Sequence, residues 1–125
     1  MELKEIIQNY FKEIDWNIEP KQLYTPISYA LESGGKRLRP MLTLMATKLF
    51  GGDINKAMPA AVALEIFHNF TLLHDDIMDR ADMRRNRPTV HVKWDDNTAI
   101  LSGDAMLIKA YQYLSKTETD KKEEI

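Results

Sequence analysis

Apolar positions recur along this chain at helical spacing. Ile6, Ile7, Tyr10, Phe11 and Ile14 form one stripe near the start, the mark of an amphipathic helix packed on a core. From Ala60 to Leu73 the chain is apolar almost all round, which predicts a helix buried on most faces. Turn and cap residues separate such stretches. Gly34 fits the position just after one helix, and Pro40 the first turn of the next. Gly51-Gly52-Asp53 divides a third helix from a fourth, Pro59 stands near the fourth start, and Asp95-Asp96-Asn97 can initiate a fifth. Helices are predicted over 2–15, 22–33, 40–50, 56–80 and 97–116. No strand alternation, internal repeat or low-complexity tract is visible. The expected fold class is all-α, an antiparallel helical bundle.

Composition narrows the function. A chain of 125 residues suffices for one domain, burying roughly two thirds of its unfolded surface. The net charge of −2 and pI near 5.9 argue against bulk nucleic-acid binding. No apolar run approaches the roughly 20 residues of a membrane span, and Met1-Glu2-Leu3-Lys4-Glu5 is no signal peptide. With no cysteine there are no disulfides or thiolate metal sites, which is compatible with a reducing cytoplasm.

The densest chemistry lies at Asp75-Asp76-Ile77-Met78-Asp79, three carboxylates at i, i+1 and i+4 closing the apolar helix. At about 100° per residue Asp75 and Asp79 share a face, and His68, two turns earlier, joins that stripe. Carboxylates at the end of a buried helix need compensation, and the helix C-terminus itself repels them. Magnesium suits such a pair, because it takes one or two carboxylates and fills its other positions with water and phosphate. For this cluster alone, a solvated helix end and a magnesium–diphosphate site are both open.

Two basic segments accompany it. Ser33-Gly34-Gly35-Lys36-Arg37-Leu38-Arg39-Pro40 puts three cations beside a flexible pair of glycines; it reads either as a basic helix cap or as a loop that approaches a polyanion. Arg80-Ala81-Asp82-Met83-Arg84-Arg85-Asn86-Arg87-Pro88-Thr89 follows the carboxylates, and Pro88 turns Arg87 away from helix, which places the arginines on a loop. Arginine's planar fork matches phosphate oxygens.

Gly34 to Pro40, Glu65-Ile66-Phe67-His68, His74 to Asp79, Arg84 to His91 and Ile100-Leu101-Ser102-Gly103-Asp104 follow one another in an order and spacing that resemble the trans-isoprenyl diphosphate synthases. The likeness spans roughly residues 25 to 115. One departure is Asn86, where that family usually has glycine after the paired arginines. The resemblance implies the N-terminal half of the isoprenoid synthase fold, and head-to-tail condensation of isopentenyl diphosphate with an allylic prenyl diphosphate. In that scheme Asp75 and Asp79, with Asp76 in support, hold magnesium ions (Mg2+) on the allylic diphosphate, and Arg84 assists there. Lys36, Arg39, His68 and Arg85 clamp isopentenyl diphosphate. A histidine on an apolar helix face is, taken alone, more often a core residue than a ligand; the two-turn register of His68 with Asp75 and its match to the family's Glu-x-x-His place it in the site. His74 and His91 are expected to be structural, and Asp104 to be buried and structural.

Chain length in this family is set partly by residues one turn before the acidic motif. Phe70 stands five and Thr71 four positions ahead of Asp75. The helical wheel puts Thr71 nearer the Asp75 face, whereas resemblance selects Phe70 as the floor of a short pocket giving C15–C20 products. A homodimer in the cytoplasm is also implied.

The tail over 116–125 is polar, and the expectation is one all-α segment over 1–125, the N-terminal part of a longer synthase domain. The family's second aspartate-rich motif is absent, so the chain alone should be inactive or nearly so, and its unpaired helix faces should drive oligomerisation. Three other readings stand behind this one: a non-catalytic half-length subunit that regulates a complete synthase, a class I terpene cyclase, and a plain helical interaction domain with an acidic patch. The cyclases lack the Lys36 to Arg39 clamp, because they bind no second diphosphate.

Overall fold

The computed structural model describes residues 2–32 and 34–117. Among them run α1 (Leu3–Glu13), α2 (Lys21–Glu32), α3 (Leu38–Leu49), α4 (Ile54–Met78), β1 (Met83–Arg84), β2 (Arg87–Pro88), α5 (Val90–Lys93) and α6 (Asp96–Ser115). The all-α bundle expected from the apolar periodicity is therefore found. Its axis is α4, which packs chiefly on α6 and α3. Ile7, Ile27, Leu44, Val62, Ile66 and Met106, drawn from five helices, are all 0% exposed. Burying a side chain of that size contributes about 1.5–3 kcal/mol, so this meeting point holds the bundle together.

Local chemistry sets the helix ends. Asp53 caps α4 by accepting from the Asn55 amide at 2.9 Å, and Asp95 caps α6 by accepting from the Thr98 amide at 2.7 Å. Two boundaries differ from expectation. Helix α3 begins at Leu38 with Pro40 inside its first turn, because Arg37 adopts left-handed backbone (φ 53°) immediately before it. Helix α4 begins at Ile54, so Pro59 falls in its second turn. Close approach of α6 to α4 requires a glycine: a Cβ on Gly103 would lie 2.5 Å from His74 Nε2. Ser102 ties α6 to α2 by donating to the Leu23 carbonyl at 2.7 Å.

The segment expected as a basic loop is a two-stranded antiparallel hairpin, Met83 opposite Pro88 and Arg84 opposite Arg87. Strands this short carry no alternation by which to recognise them. Apolar side chains stay exposed on α3 (Leu38, Leu42, Met45, Leu49), at Phe50 just beyond it, and along α4 and α6 (Leu64, Phe67, Leu101, Ile108, Tyr111). No helix among the described residues is long and apolar enough to cross a membrane. Of the polar tail, residues 118–125 lie outside the described residues, as does Ser33 of the glycine loop.

Candidate functional site

The acidic helix stops in a Schellman arrangement. Asp79 is the last half-helical residue, the Arg80 amide donates to the Ile77 carbonyl at 3.2 Å, and the Ala81 amide to the Asp76 carbonyl at 2.9 Å. The left-handed position, most often glycine, is held by Arg80 with φ 53°. This stop divides the three carboxylates. Asp75 and Asp79 are exposed, and neither side chain makes a hydrogen bond or ion pair among the described residues. Asp76 is buried and accepts a two-point bond from Arg84, with Nε to Oδ2 at 2.8 Å and Nη2 to Oδ1 at 2.7 Å. That bond is the main cause holding the Arg84 guanidinium above its ordinary pKa, and the charges of Asp76, Asp75 and Asp79 add to it. Asp76, grouped with the metal-holding carboxylates from sequence, is thus engaged in fixing an arginine.

The hairpin turn explains the other arginine. Arg85 and Asn86 both have positive φ, 51° and 63°, the signature of the primed turns that match strand twist. Asparagine tolerates this region better than most residues, so Asn86 fits the second turn position. From the turn, Arg85 Nη1 donates to the Gly34 carbonyl at 3.0 Å. Its guanidinium lies against Gly35, where a Cβ would come within 2.9 Å of Cζ and Nη2. The hairpin therefore spans the site, Arg84 fixed to the acidic helix and Arg85 seated on the glycine loop.

His68 lies between these charges and is half-buried. Burial lowers its pKa, and Arg39, Arg85 and Arg84 push it down further against the opposing pull of Glu65. Arg39, Arg84 and Arg85 thus converge electrostatically on one imidazole, which favours its neutral form. Lys36 and Arg39 are exposed at the start of α3. The structure thus brings Arg39, Arg84 and Arg85 within electrostatic reach of His68, with Arg84 bonded to the acidic helix end and Arg85 to the glycine loop that carries Lys36.

Other residues of the motifs are structural. Arg37, indistinguishable in sequence from its basic neighbours, is only 3% exposed. It donates to the Leu31 carbonyl at 2.6 Å, reaches Gln8 Oε1 at 3.4 Å, lies over the Phe11 ring, and pairs with buried Glu65 at 3.9 Å. Asn69 donates to Glu65 Oε1 at 3.1 Å. This strut joins α1, α2 and α4, and its only signal in sequence was Glu65 and Asn69 one turn apart on an apolar helix. His74 and His91 place ring nitrogens on the Ile100 and Ala81 carbonyls at 3.2 and 2.7 Å. Asp104 is not buried, as expected, but exposed: its neighbours Gly103 and Ala105 face inward, and one helical step turns it to solvent, 3.7 Å from His74. Thr71 spends its hydroxyl on the His68 carbonyl at 2.6 Å. The Phe70 ring packs between Phe67 and His74, centroids at 5.5 and 4.8 Å, on the side of α4 that His74 turns toward α6.

Among the described residues no three histidine, aspartate or glutamate side chains gather as a complete metal cage. Two uncommitted carboxylates one turn apart nevertheless fit magnesium, which binds through one or two carboxylates and completes its octahedron with water and phosphate.

A model of the polyprenyl synthetase family matches residues 20–125. The chain belongs to this family. It is 45% identical over 127 aligned residues to a geranylgeranyl diphosphate synthase of Methanosarcina mazei, covering 96% of this chain and 39% of that protein. A short chain isoprenyl diphosphate synthase of Methanocaldococcus jannaschii is 42% identical, with 95% and 37% covered. Among solved structures, a geranylgeranyl pyrophosphate synthase superposes with TM-score 0.92 at 52% identity over 98% of this chain and 37% of that one. The synthase of Geoglobus acetivorans gives TM-score 0.86 at 42% identity, over 93% of this chain and 39% of that one. The chain thus spans under two fifths of these relatives' lengths.

Proposed function

We propose that this segment supplies the first part of a prenyltransferase site that joins isopentenyl diphosphate head-to-tail to an allylic prenyl diphosphate. The observation that carries the reading is the hairpin. Arg84 is fixed to the acidic helix through Asp76, and Arg85 to the glycine loop through the Gly34 carbonyl. Cations for two diphosphates therefore stand side by side, flanked by Asp75 and Asp79 on one hand and by Lys36 and Arg39 on the other.

In this reading Asp75 and Asp79 hold magnesium, with Asp76 in support through its grip on Arg84. When bound, the metal neutralises negative charge on the allylic diphosphate as its C–O bond breaks. Arg84 presents a pre-oriented guanidinium to the same leaving group, so little reorganisation is needed when charge develops. Lys36, Arg39, His68 and Arg85 clamp isopentenyl diphosphate with its double bond facing the allylic cation. The double bond attacks, a C–C bond forms, and the condensed cation loses a proton to the departed diphosphate. No side chain of the chain becomes a nucleophile; positioning and charge do the catalysis.

Phe70 is the proposed floor of a short product pocket giving C15–C20 chains, a length the names of the geranylgeranyl relatives support. The exposed apolar faces of α3, α4 and α6 support a larger synthase domain of which residues 1–125 are the N-terminal part. With them go a cytoplasmic homodimer and little or no turnover by this segment alone. Calorimetric titration of the chain with a bisphosphonate, a stable diphosphate analogue, tests the site directly. Binding should require magnesium and vanish in Asp75→Asn/Asp79→Asn; affinity indifferent to magnesium would contradict the reading.

A further inference from the structure

Tyr29 sits outside every motif that the site uses, yet it holds the outer edge of the hairpin. Its hydroxyl donates to the Pro88 carbonyl at 2.7 Å. Its ring carries the Arg87 guanidinium at 3.9 Å and meets Trp94 edge-on at 5.2 Å. Pro88 pairs with Met83 and Arg87 with Arg84, so the tyrosine grips the strand opposite the one leading to the arginine turn. Tyr29 also lies on α2, five residues before Gly34, the carbonyl on which Arg85 rests. One side chain thus fixes the hairpin to the helix that delivers the glycine loop. Arg84 does not depend on this hold, because Asp76 grips it by two bonds at 2.7 and 2.8 Å. Arg85 does, since the bond to Gly34 spans the gap that Tyr29 closes.

We propose that Tyr29 is a positioning residue that sets the distance between the arginine turn and the glycine loop, and so tunes the isopentenyl diphosphate side of the site through Arg85. The proposal rests on the prenyltransferase reading above. Tyr29→Phe keeps the ring, its stacking on Arg87 and its edge contact with Trp94, and removes one hydrogen bond.

Steady-state constants are measured for both diphosphates, in the protein as its native gene expresses it. Tyr29→Phe should raise the KM for isopentenyl diphosphate about three- to tenfold, the effect of one neutral hydrogen bond, and leave the allylic KM within twofold. In an Arg85→Ala background the same change should add nothing further. If Tyr29→Phe does not fold, Arg87→Ala carries the test, with a smaller rise in the same constant. Equal rises in both constants, no rise in either, or an undiminished effect without Arg85 would each overturn the positioning role. Absence of any isopentenyl-dependent product from the unaltered protein would instead overturn the functional reading beneath it.

Discussion

Gly35→Ala separates the seat of Arg85 from the general cost of altering a glycine loop. The added Cβ would lie 2.9 Å from Cζ and Nη2 of Arg85 and 3.3 Å from Nη1, against the roughly 3.5–4.0 Å of relaxed carbon contacts. The guanidinium must retreat by on the order of 1 Å, which stretches its 3.0 Å bond to the Gly34 carbonyl past useful length. A hydrogen bond to a charged group contributes about 1.5–3 kcal/mol, so affinity for isopentenyl diphosphate should fall on the order of tenfold to a hundredfold. Backbone strain adds a separate loss of stability, about 1–2 kcal/mol, because φ is +106°. Gly34→Ala is the comparison: φ is +85°, but nothing lies within 4 Å of its added Cβ. Both variants should lose similar stability in a urea titration, while Gly35→Ala alone raises the KM for isopentenyl diphosphate strongly. Equal rises in the two variants would refute the idea that Gly35 exists to admit Arg85.

Three further outcomes follow from the site. Arg80→Gly should raise stability by about 0.5–1 kcal/mol in denaturant titration, because glycine removes the left-handed penalty that ends α4; a loss would show that the Arg80 side chain makes a compensating contact. His68 is depressed below 6.5 by burial first and then by Arg39, with Arg85 and Arg84 adding, so the folded chain binds its proton less readily than the unfolded one. Its share of stability is whole above about pH 6.5 and is lost as pH falls through the lower folded value. A bound diphosphate opposes that depression, so calorimetry near pH 6 in two buffers should show proton uptake that His68→Gln abolishes. Phe70→Ala should lengthen the product by one or more five-carbon units, read by chromatography of the dephosphorylated alcohols; unchanged length in an active enzyme would place the floor elsewhere.

How much of this was legible in sequence depended on the length scale. The apolar stripe of α1, the all-round apolarity of α4 and the capping aspartates before α4 and α6 are local signals, and the bundle follows from them. The candidate site residues stood out only through the order and spacing of several motifs together, since carboxylates and arginines in equal number also describe a solvated surface. Three features were invisible for physical reasons. Arg37 looks like Lys36 and Arg39 until the left-handed turn at its own backbone sends it inward, over the Phe11 ring and against Glu65. The hairpin has strands too short to alternate, and rests on two positive φ values of which Arg85 gives no sign and Asn86 only a weak one. Asp104 stands among small buried neighbours, and only the turn of α6 decides that it faces out.

Product analysis of the protein as its native gene expresses it tests the central claim most directly. Supplied with isopentenyl diphosphate, an allylic diphosphate and magnesium, it should form an elongated C15–C20 prenyl diphosphate. Omitting the metal, or replacing Asp75 and Asp79 with asparagine, should stop the reaction. No elongated product under these conditions, or elongation that survives loss of both carboxylates, would contradict the assignment of this site to prenyl transfer.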